Sequence, residues 1–189
     1  MPLSDSQVRI ISFAPALLAA VQSGQKTVTR RRIAHAALQA SPARYFIGSM
    51  HAGEVCFEAV PPGGGGGEQI SCPFGKPGDW LRVQENPYLT LYIRHIRAES
   101  VCDITEAEAL AEGIVAYPPP AGDERGSGQQ YGVFGEPGAR PLQPSAVAAF
   151  HLLLDSIYPT AWKHNEWVWV IEFQCHVLGP NKQIFSIIS

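Results

Sequence analysis

The order of apolar and polar positions predicts a chain that opens with a strand, a helix and a second strand. Val8 to Phe13 is a β-branched and aromatic run, which is typical of a strand. Good helix formers fill Ala16 to Ser23 behind Pro15, a residue that the first helical turn tolerates. Gly24 predicts the end of that helix, and Thr27 to Thr29 favour extended backbone again.

The middle of the chain predicts mainly strands. Glu54 to Val60 places its apolar residues on alternate positions, and the pattern continues in Trp80 to Glu85 and Leu89 to Cys102. The segment Thr105-Glu106-Ala107-Glu108 has the form of a capping box, in which a threonine and a glutamate close the first turn of a helix. Gly113 predicts the end of this short helix, so that Glu112 is its last residue.

The last third predicts a long loop, a helix and a buried strand. Val115 to Ser145 holds six glycines and six prolines with little apolar periodicity, which is typical of a loop or lid. A helix is predicted from Ser145 to about Ile157, with the core-facing residues Val147, Phe150, Leu154 and Ile157. Trp167 to Val177 is almost continuously apolar, which predicts a well-buried final strand.

This order of elements predicts an α+β fold with more strand than helix. It alternates too irregularly for a doubly wound sheet and favours a small mixed or closed β-barrel with short flanking helices. The length of 189 residues favours one domain covering 1–189. The Pro-Pro-Gly-Gly-Gly-Gly-Gly run from Pro61 to Gly67 predicts a flexible tether.

Composition narrows the classes of partner and the location. The 14 Lys and Arg residues against 17 Asp and Glu residues give a net charge of −3, so any contact with nucleic acid must be local. No apolar run is long enough for a membrane span, and the N-terminus lacks the pattern of a signal peptide. We therefore expect a cytoplasmic protein without a membrane partner, as a monomer or weak homo-oligomer.

The spacing of cysteine and histidine predicts neither a metal site nor a cofactor. Cys56, Cys72, Cys102 and Cys175 contain no Cys-x-x-Cys pair, and the six histidines do not stand at ligand spacing. We expect reduced, mostly structural cysteines.

The densest chemistry lies in Gly24-Gln-Lys-Thr-Val-Thr-Arg-Arg31 and the next residue, Arg32. Lys26 could act as a base or anion contact, Thr29 as a nucleophile or donor, and Arg30 to Arg32 as partners of phosphate or carboxylate. A solvated basic strand edge is the other interpretation. Because residues three apart on a regular strand point to opposite faces, Lys26 and Thr29 converge only if a turn or bulge follows Gly24.

Four separated pieces of the chain are informative together: Ile11 to Pro15 with Gly24 to Arg31, Cys72 to Glu85, Asp103 to Ile114, and Asp155 to Tyr158 with Asn165 to Phe173. Together these pieces resemble the ASCH domain family of the PUA-like superfamily, in particular its phage- and prophage-associated members. Relative to a minimal domain of this family, the segments at about 34–70 and 115–145 look like insertions. One departure is Gln84, which stands where phage-type members usually have an arginine.

The resemblance implies an activity and site residues. Small bacterial ASCH proteins are amidohydrolases that remove the acetyl group of N4-acetylcytidine with a lysine, a threonine three residues later and a glutamate on a later helix. These positions match Lys26, Thr29 and Glu112, and Arg31 matches a basic residue of the same motif. The lysine can be a base only if its pKa is lowered, which neighbouring arginines favour and Glu112 opposes.

Three functions therefore remain open. The first is a pocket for a nucleobase or modified nucleoside, with an amidohydrolase activity; its catalytic residues would be Lys26, Thr29 and Glu112, and its substrate-binding residues Arg30, Arg31, Glu85 and Trp80. The second is a non-catalytic RNA- or DNA-binding module, with RNA as the expected partner, in which arginines hold phosphates and Trp80, Tyr88 or Tyr92 stacks on a base. The third is a phage accessory or assembly protein without a small ligand.

Overall fold

The structure is a computed structural model that describes residues 9–60, 67–118, 128–136, 138, 140–178 and 184–186. The strands within these residues are β1 (Arg9–Ile11), β2 (Val28–Arg32), β3 (Tyr45–His51), β4 (Glu54–Ala59), β5 (Glu68–Ser71), β6 (Trp80–Val83), β7 (Leu89–Ser100), β8 (Ile114–Tyr117), β9 (Gln130–Val133), β10 (Trp167–Leu178) and β11 (Ile184–Ser186). The α-helices are α1 (Pro15–Gln22), α2 (Ala36–Ala40), α3 (Glu106–Ala111) and α4 (Ala146–Ile157). The fold is therefore mixed α+β, with more strand than helix.

The longest strands, β7 and β10, form the centre of a six-stranded sheet. They pair antiparallel along almost their whole lengths, and a register shift between Glu172 and Phe173 interrupts the ladder. β6 lies on the other side of β7 and carries β1 in parallel, while β2 and β11 share the far side of β10. The apolar run of β10 is largely buried, as its sequence predicted, because its side chains pack in the hydrophobic core.

The predicted closed barrel is not found among the described residues. β1 pairs only with β6, and β2 pairs only with β10, so the six-stranded sheet keeps two open ends. A barrel requires the first and last strands to share a hydrogen-bonded register. The α+β class was thus correct, and the closure was wrong.

The part of the chain between α2 and β6 forms a second sheet. It consists of β3, β4 and β5 in antiparallel order, and it contacts the main sheet where the Phe57 and Trp167 rings meet edge to face at 5.0 Å. Val55 and Phe57 are buried, in agreement with the alternation of β4. Most of the predicted Gly-rich tether, residues 61–66, lies outside the described residues.

Local signals predicted the helix ends well. The Thr105 hydroxyl accepts a hydrogen bond from the Glu108 N–H, and the Glu108 carboxylate accepts one from the Thr105 N–H, which completes the capping box. Ser145 caps α4 by accepting from the Ala148 N–H. Gly113 has φ +97°, and a Cβ there would lie 3.2 Å from that of Ala20. Within the described ranges, no helix is long and apolar enough to cross a membrane.

The predicted loop from Val115 to Ser145 contains a hairpin, so this prediction was wrong in part. Ile114 pairs with Val133 and Tyr117 with Gln130, which joins β8 and β9 antiparallel. Both strands have only four residues, too short for a readable alternation, and backbone pairing rather than an apolar pattern defines them. Residues 119–127 lie outside the description, so the lid interpretation stays a prediction.

One core position of α4 was also predicted wrongly. Phe150 and Leu154 are buried, and Val147 is partly buried, but Ile157 remains 46% exposed. Ile157 lies at the last turn of the helix, where the chain leaves the core. Its exposure becomes relevant to the cavity described below.

The four cysteines carry free thiols. Burial raises the pKa of Cys72 and of Cys175 to about 11, because a thiolate is poorly solvated in an apolar interior. Both side chains belong to the hydrophobic core. They pack as small apolar groups rather than as nucleophiles.

Candidate functional site

Lys26 lies between the turn that ends α1 and the first residue of β2. Gly24 has φ +78°, a left-handed conformation that lets the chain reverse after the helix. The Lys26 N–H then donates to the Ala20 carbonyl at 2.9 Å, and the Thr27 N–H donates to the Ala111 carbonyl at 2.9 Å. Lys26 and Thr29 nevertheless line the same cavity, because Lys26 precedes the first residue of β2, Val28, and is not bound to the alternation of that strand.

Glu112 meets Lys26 through an isolated antiparallel bridge between the segments that follow α1 and α3. The Lys26 Nζ donates to the Glu112 carbonyl oxygen at 2.8 Å and forms an ion pair with the Glu112 carboxylate. The side chains of both residues are almost fully buried, at 1% and 4% exposure. The cation also offsets the unfavourable position of a carboxylate at a helix C-terminus.

Burial lowers the pKa of Lys26, because the ammonium form loses its hydration. The Glu112 carboxylate acts in the opposite direction, and the positive charges of Arg31 and Arg30 add to the lowering. The net pKa lies below the ordinary value. Lys26 is therefore closer to the neutral form that a general base needs than an exposed lysine would be.

Arg30 is buried and surrounded by three carboxylates. Its Nε lies 3.0 Å from Glu99 Oε1, its Nη2 lies 3.2 Å from Glu108 Oε2, and its Nη1 lies 3.3 Å from Glu112 Oε1. Its guanidinium carbon also lies 5.8 Å from the centre of the Phe150 ring. The two oxygens of Glu112 thus face two different cations, Lys26 and Arg30.

A second arginine completes this network from the side of β7. Arg97 contacts Glu99, Glu108 and Glu172, so two of the carboxylates that hold Arg30 are shared with Arg97. Partial burial would raise the pKa of Glu108, but the Thr105 N–H and the two arginines outweigh this effect and hold the pKa below its ordinary value. Charges of opposite sign therefore alternate through the network.

A cavity of about 290 Å³ borders the Lys26–Glu112 pair. This volume is near the lower end of the range for small-molecule sites. The polar residues of its lining are Ser12, Lys26, Thr29, Arg30, Arg31, Glu85 and Glu112. Thr29 is held by backbone pairing with Ile171, and within the part of the chain that the structure describes its hydroxyl has no hydrogen-bond partner.

Arg31 and Glu85 belong to the same cavity wall. The Nη2 of Arg31 donates to the Ser12 carbonyl, and the guanidinium carbon of Arg31 lies 5.2 Å from the centre of the Phe13 ring. The Arg31 Nε is buried without a partner among the described residues. Glu85 accepts from the Phe13 N–H at 3.2 Å. Arg31 therefore keeps hydrogen-bond donors that the described residues do not use.

Trp80 is the predicted site residue that the structure places elsewhere. Its ring packs against Tyr92 and His176, with centroid distances of 5.1 Å to each. It is not among the residues that line the cavity. The other six predicted site residues, from three separate parts of the sequence, line this one cavity.

The basic cluster is not a solvated strand edge. Lys26 is 1% exposed and Arg30 is 5% exposed, and both are paired with carboxylates. Arg32 points to a different partner, Glu166, which is 1% exposed and also accepts from the Thr160 hydroxyl at 3.1 Å. These cations pair with carboxylates that are far away in the sequence, so no local sequence pattern could predict the ion pairs.

Sequence reasoning missed the apolar wall of the cavity. This wall comes mainly from α4 and the residue after it, namely Phe150, Leu153, Leu154, Ile157 and Tyr158. Helical spacing identified three of them only as core or core-facing positions. The exposed Ile157 at the helix end was the available signal, because a core stripe that continues into solvent often borders a ligand site.

Within the described ranges, no group of histidine, cysteine and acidic residues has the arrangement of a metal site. Comparison of the chain with models of protein families, with curated proteins and with solved structures finds no match. The site must therefore be interpreted from its own residues.

Proposed function

We propose that the chain is an ASCH-like protein of the PUA-like superfamily whose cavity binds a modified nucleoside and hydrolyses an amide on it, with N4-acetylcytidine as the first candidate substrate. The observation that carries this proposal is the meeting of Lys26, Thr29 and Glu112 at one cavity. Lys26 and Glu112 are 86 positions apart in the sequence, and their buried ion pair lies at the wall of the cavity.

Thr29 is the nucleophile in this proposal. Its hydroxyl oxygen attacks the carbonyl carbon of the acetamide, and the hydroxyl proton passes to the neutral amine of Lys26. The lowered pKa of Lys26 supports this role, since it increases the fraction of the amine that is neutral and able to accept a proton. Glu112 holds the Nζ in place and stabilises the ammonium that forms.

The remaining steps return the site to its starting state. The Lys26 ammonium gives its proton to N4 of the leaving cytidine as the carbon–nitrogen bond breaks, which leaves acetate esterified to Thr29. Water then attacks the ester carbonyl while Lys26 takes one proton, and acetate leaves as Thr29 recovers it. The sum is one amide and one water consumed, and one amine and one acetate released.

Substrate recognition is assigned to the cavity wall opposite α4. Arg31 lines the cavity, and its guanidinium is assigned as the donor to a carbonyl oxygen or ring nitrogen of the substrate. Glu85 is exposed and, among the described residues, accepts the Phe13 N–H alone, so its carboxylate retains capacity for a donor such as a sugar hydroxyl. The apolar wall of α4 supports the acyl group or the face of the base.

The nucleic-acid-binding alternative has less support. Phosphate contacts need cations that face solvent, whereas Lys26 and Arg30 are buried and neutralised by carboxylates. The Trp80 ring is partly covered by Tyr92 and His176. Of the three aromatic residues expected to stack, Tyr88 is the one classed as exposed, at 65%.

The test is chromatographic detection of cytidine and acetate after incubation of the protein with N4-acetylcytidine. We expect release by the wild type and its loss in Thr29→Val, Lys26→Ala and Glu112→Ala. Thr29→Ser should retain release, because it keeps the hydroxyl. The matched control is Thr90→Val, a strand threonine that is 1% exposed and does not line the cavity, and we expect its activity to be unchanged.

Release that persists in Thr29→Val would contradict a threonine nucleophile and leave an attacking water as the alternative. No release by the wild type would contradict the amidohydrolase proposal for this substrate. Titration with single-stranded RNA and DNA at two salt concentrations would then decide the alternative, because phosphate contacts weaken steeply with salt.

A further inference from the structure

Arg30 differs from the other polar residues of the cavity because its hydrogen-bonding capacity is used inside the protein. The side chain is 1% exposed, and each of its three nitrogens has a carboxylate oxygen within 3.3 Å. A guanidinium has five N–H donors in a planar fork and no acceptor. Because its guanidinium already binds carboxylates, Arg30 has few N–H donors left for a ligand, although it lines the cavity.

The partners of Arg30 come from β7 and from the two ends of α3. Glu99 lies near the end of β7, Glu108 lies in the first turn of α3, and Glu112 follows α3. Arg30 itself is on β2, so its fork joins the main sheet to both ends of the short helix. Because α3 has only six residues, such a connection determines where Glu112 stands relative to Lys26.

We infer that Arg30 is a positioning residue, which holds Oε1 of Glu112 so that Oε2 fixes the Lys26 amine at the cavity for proton transfer. This inference rests on the proposed function. It replaces the substrate-binding role expected for Arg30 from the sequence. A lysine at this position would keep the charge but could not bridge three carboxylates at once, because an ammonium lacks the planar fork.

The charged groups around Lys26 define what removal of Arg30 should do. Glu112 faces Lys26 directly, Arg30 and Arg31 face it from β2, and Glu99 and Glu108 stand behind Arg30, where Arg97 also binds them. Loss of Arg30 removes one positive charge near the amine and frees Glu112 to pair with Lys26 alone. Both changes favour the ammonium, so the titration of Lys26 should move to higher pH.

The experiment compares Arg30→Gln and Arg30→Lys with the wild type by two measurements. The first is an NMR titration of the Lys26 side chain, which is practical because the chain has four lysines and Lys26→Arg assigns the signal. The second is kcat and KM for N4-acetylcytidine over a range of pH. The matched control is Arg94→Gln, an exposed arginine of β7 that lies outside the cavity.

We expect the Lys26 midpoint to rise in Arg30→Gln, and kcat to fall by about tenfold or more in both Arg30 variants with KM unchanged, because a displaced catalytic pair slows chemistry without weakening binding. Arg94→Gln should change neither quantity. Arg30→Lys, which retains the charge, keeps the test decisive if Arg30→Gln does not fold.

Two results would overturn the inference. A rise in KM with unchanged kcat would make Arg30 a substrate-binding residue. An unchanged Lys26 midpoint in folded Arg30→Gln would show that Arg30 does not act on the pair. If the wild type does not hydrolyse N4-acetylcytidine, the proposed function is contradicted independently of Arg30. The midpoint of the Lys26 titration then decides whether Arg30 acts on Lys26 and Glu112.

Discussion

Replacement of Lys26 by methionine should destabilise the protein more than any substitution of a surface lysine. Methionine has nearly the length of the lysine stem, so Lys26→Met removes the charge and its hydrogen bonds while it leaves little cavity. Two contacts are lost, namely the ion pair with the Glu112 carboxylate and the 2.8 Å hydrogen bond to the Glu112 carbonyl. The carboxylate stays buried with only Arg30 to balance it.

The expected size follows from this geometry. Removal of one partner of a buried ion pair typically costs about 3–5 kcal/mol of unfolding free energy, because the other charge remains without compensation. Since the Arg30 Nη1 stays 3.3 Å from Glu112 Oε1, we expect a value near the lower end, about 3 kcal/mol. For a chain of this size each kcal/mol lowers the melting temperature by about 2–4 °C, which predicts a fall of about 6–12 °C.

Urea unfolding followed by the fluorescence of the four tryptophans measures this quantity. A double-mutant cycle with Glu112→Leu measures the interaction free energy between Lys26 and Glu112 separately from their contacts with other residues. The double variant should be more stable than the sum of the single effects predicts, by about 2 kcal/mol, because it leaves no unpaired charge. Lys76→Met, at an exposed position, is the control and should stay within about 0.5 kcal/mol of the wild type. A loss below about 1 kcal/mol for Lys26→Met, or strict additivity in the cycle, would refute the reasoning.

Three further results are expected. Trp80→Phe should leave KM for N4-acetylcytidine unchanged, because the indole packs outside the cavity, and steady-state kinetics would reveal a rise if the ring touches the ligand. Cys72 and Cys175 should resist iodoacetamide at about pH 8 in the folded protein, since burial raises both thiol pKa values to about 11, and rapid labelling of either by mass spectrometry would contradict their burial. Because the folded pKa of Glu108 lies below its ordinary value, its stabilising contribution is complete above that ordinary value and is lost as the pH falls through the folded pKa. The acid limb of stability, measured by urea unfolding, should therefore be shallower in Glu108→Gln, and identical limbs would exclude this contribution.

Several elements could be predicted because their signals are local. The capping box at Thr105, the cap at Ser145 and the apolar run of β10 each depend on residues within one turn or one strand. Gly24 and Gly113 ended their helices as predicted, because a left-handed residue there is cheap only for glycine. The elements that the sequence did not predict depend on contacts between segments. The short strands β8 and β9, for example, are defined by their pairing with each other.

The candidate site divides in the same way. Residue types and a motif resemblance were enough to select Lys26, Thr29 and Glu112 from the sequence. They could not show that Arg30 is enclosed by carboxylates from β7 and α3, that Trp80 faces other aromatic rings, or that α4 supplies an apolar wall.

The sequence by itself thus determined the order of the elements, the caps of the helices and the chemical groups available for a site. The tertiary structure decided which of these groups meet, and in what state of charge. The physical reason is that backbone preference and periodicity act over a few residues, whereas burial and ion pairing depend on contacts between distant segments. Lys26 and Glu112 illustrate this, since 86 positions separate two side chains whose shared burial lowers the pKa of the amine.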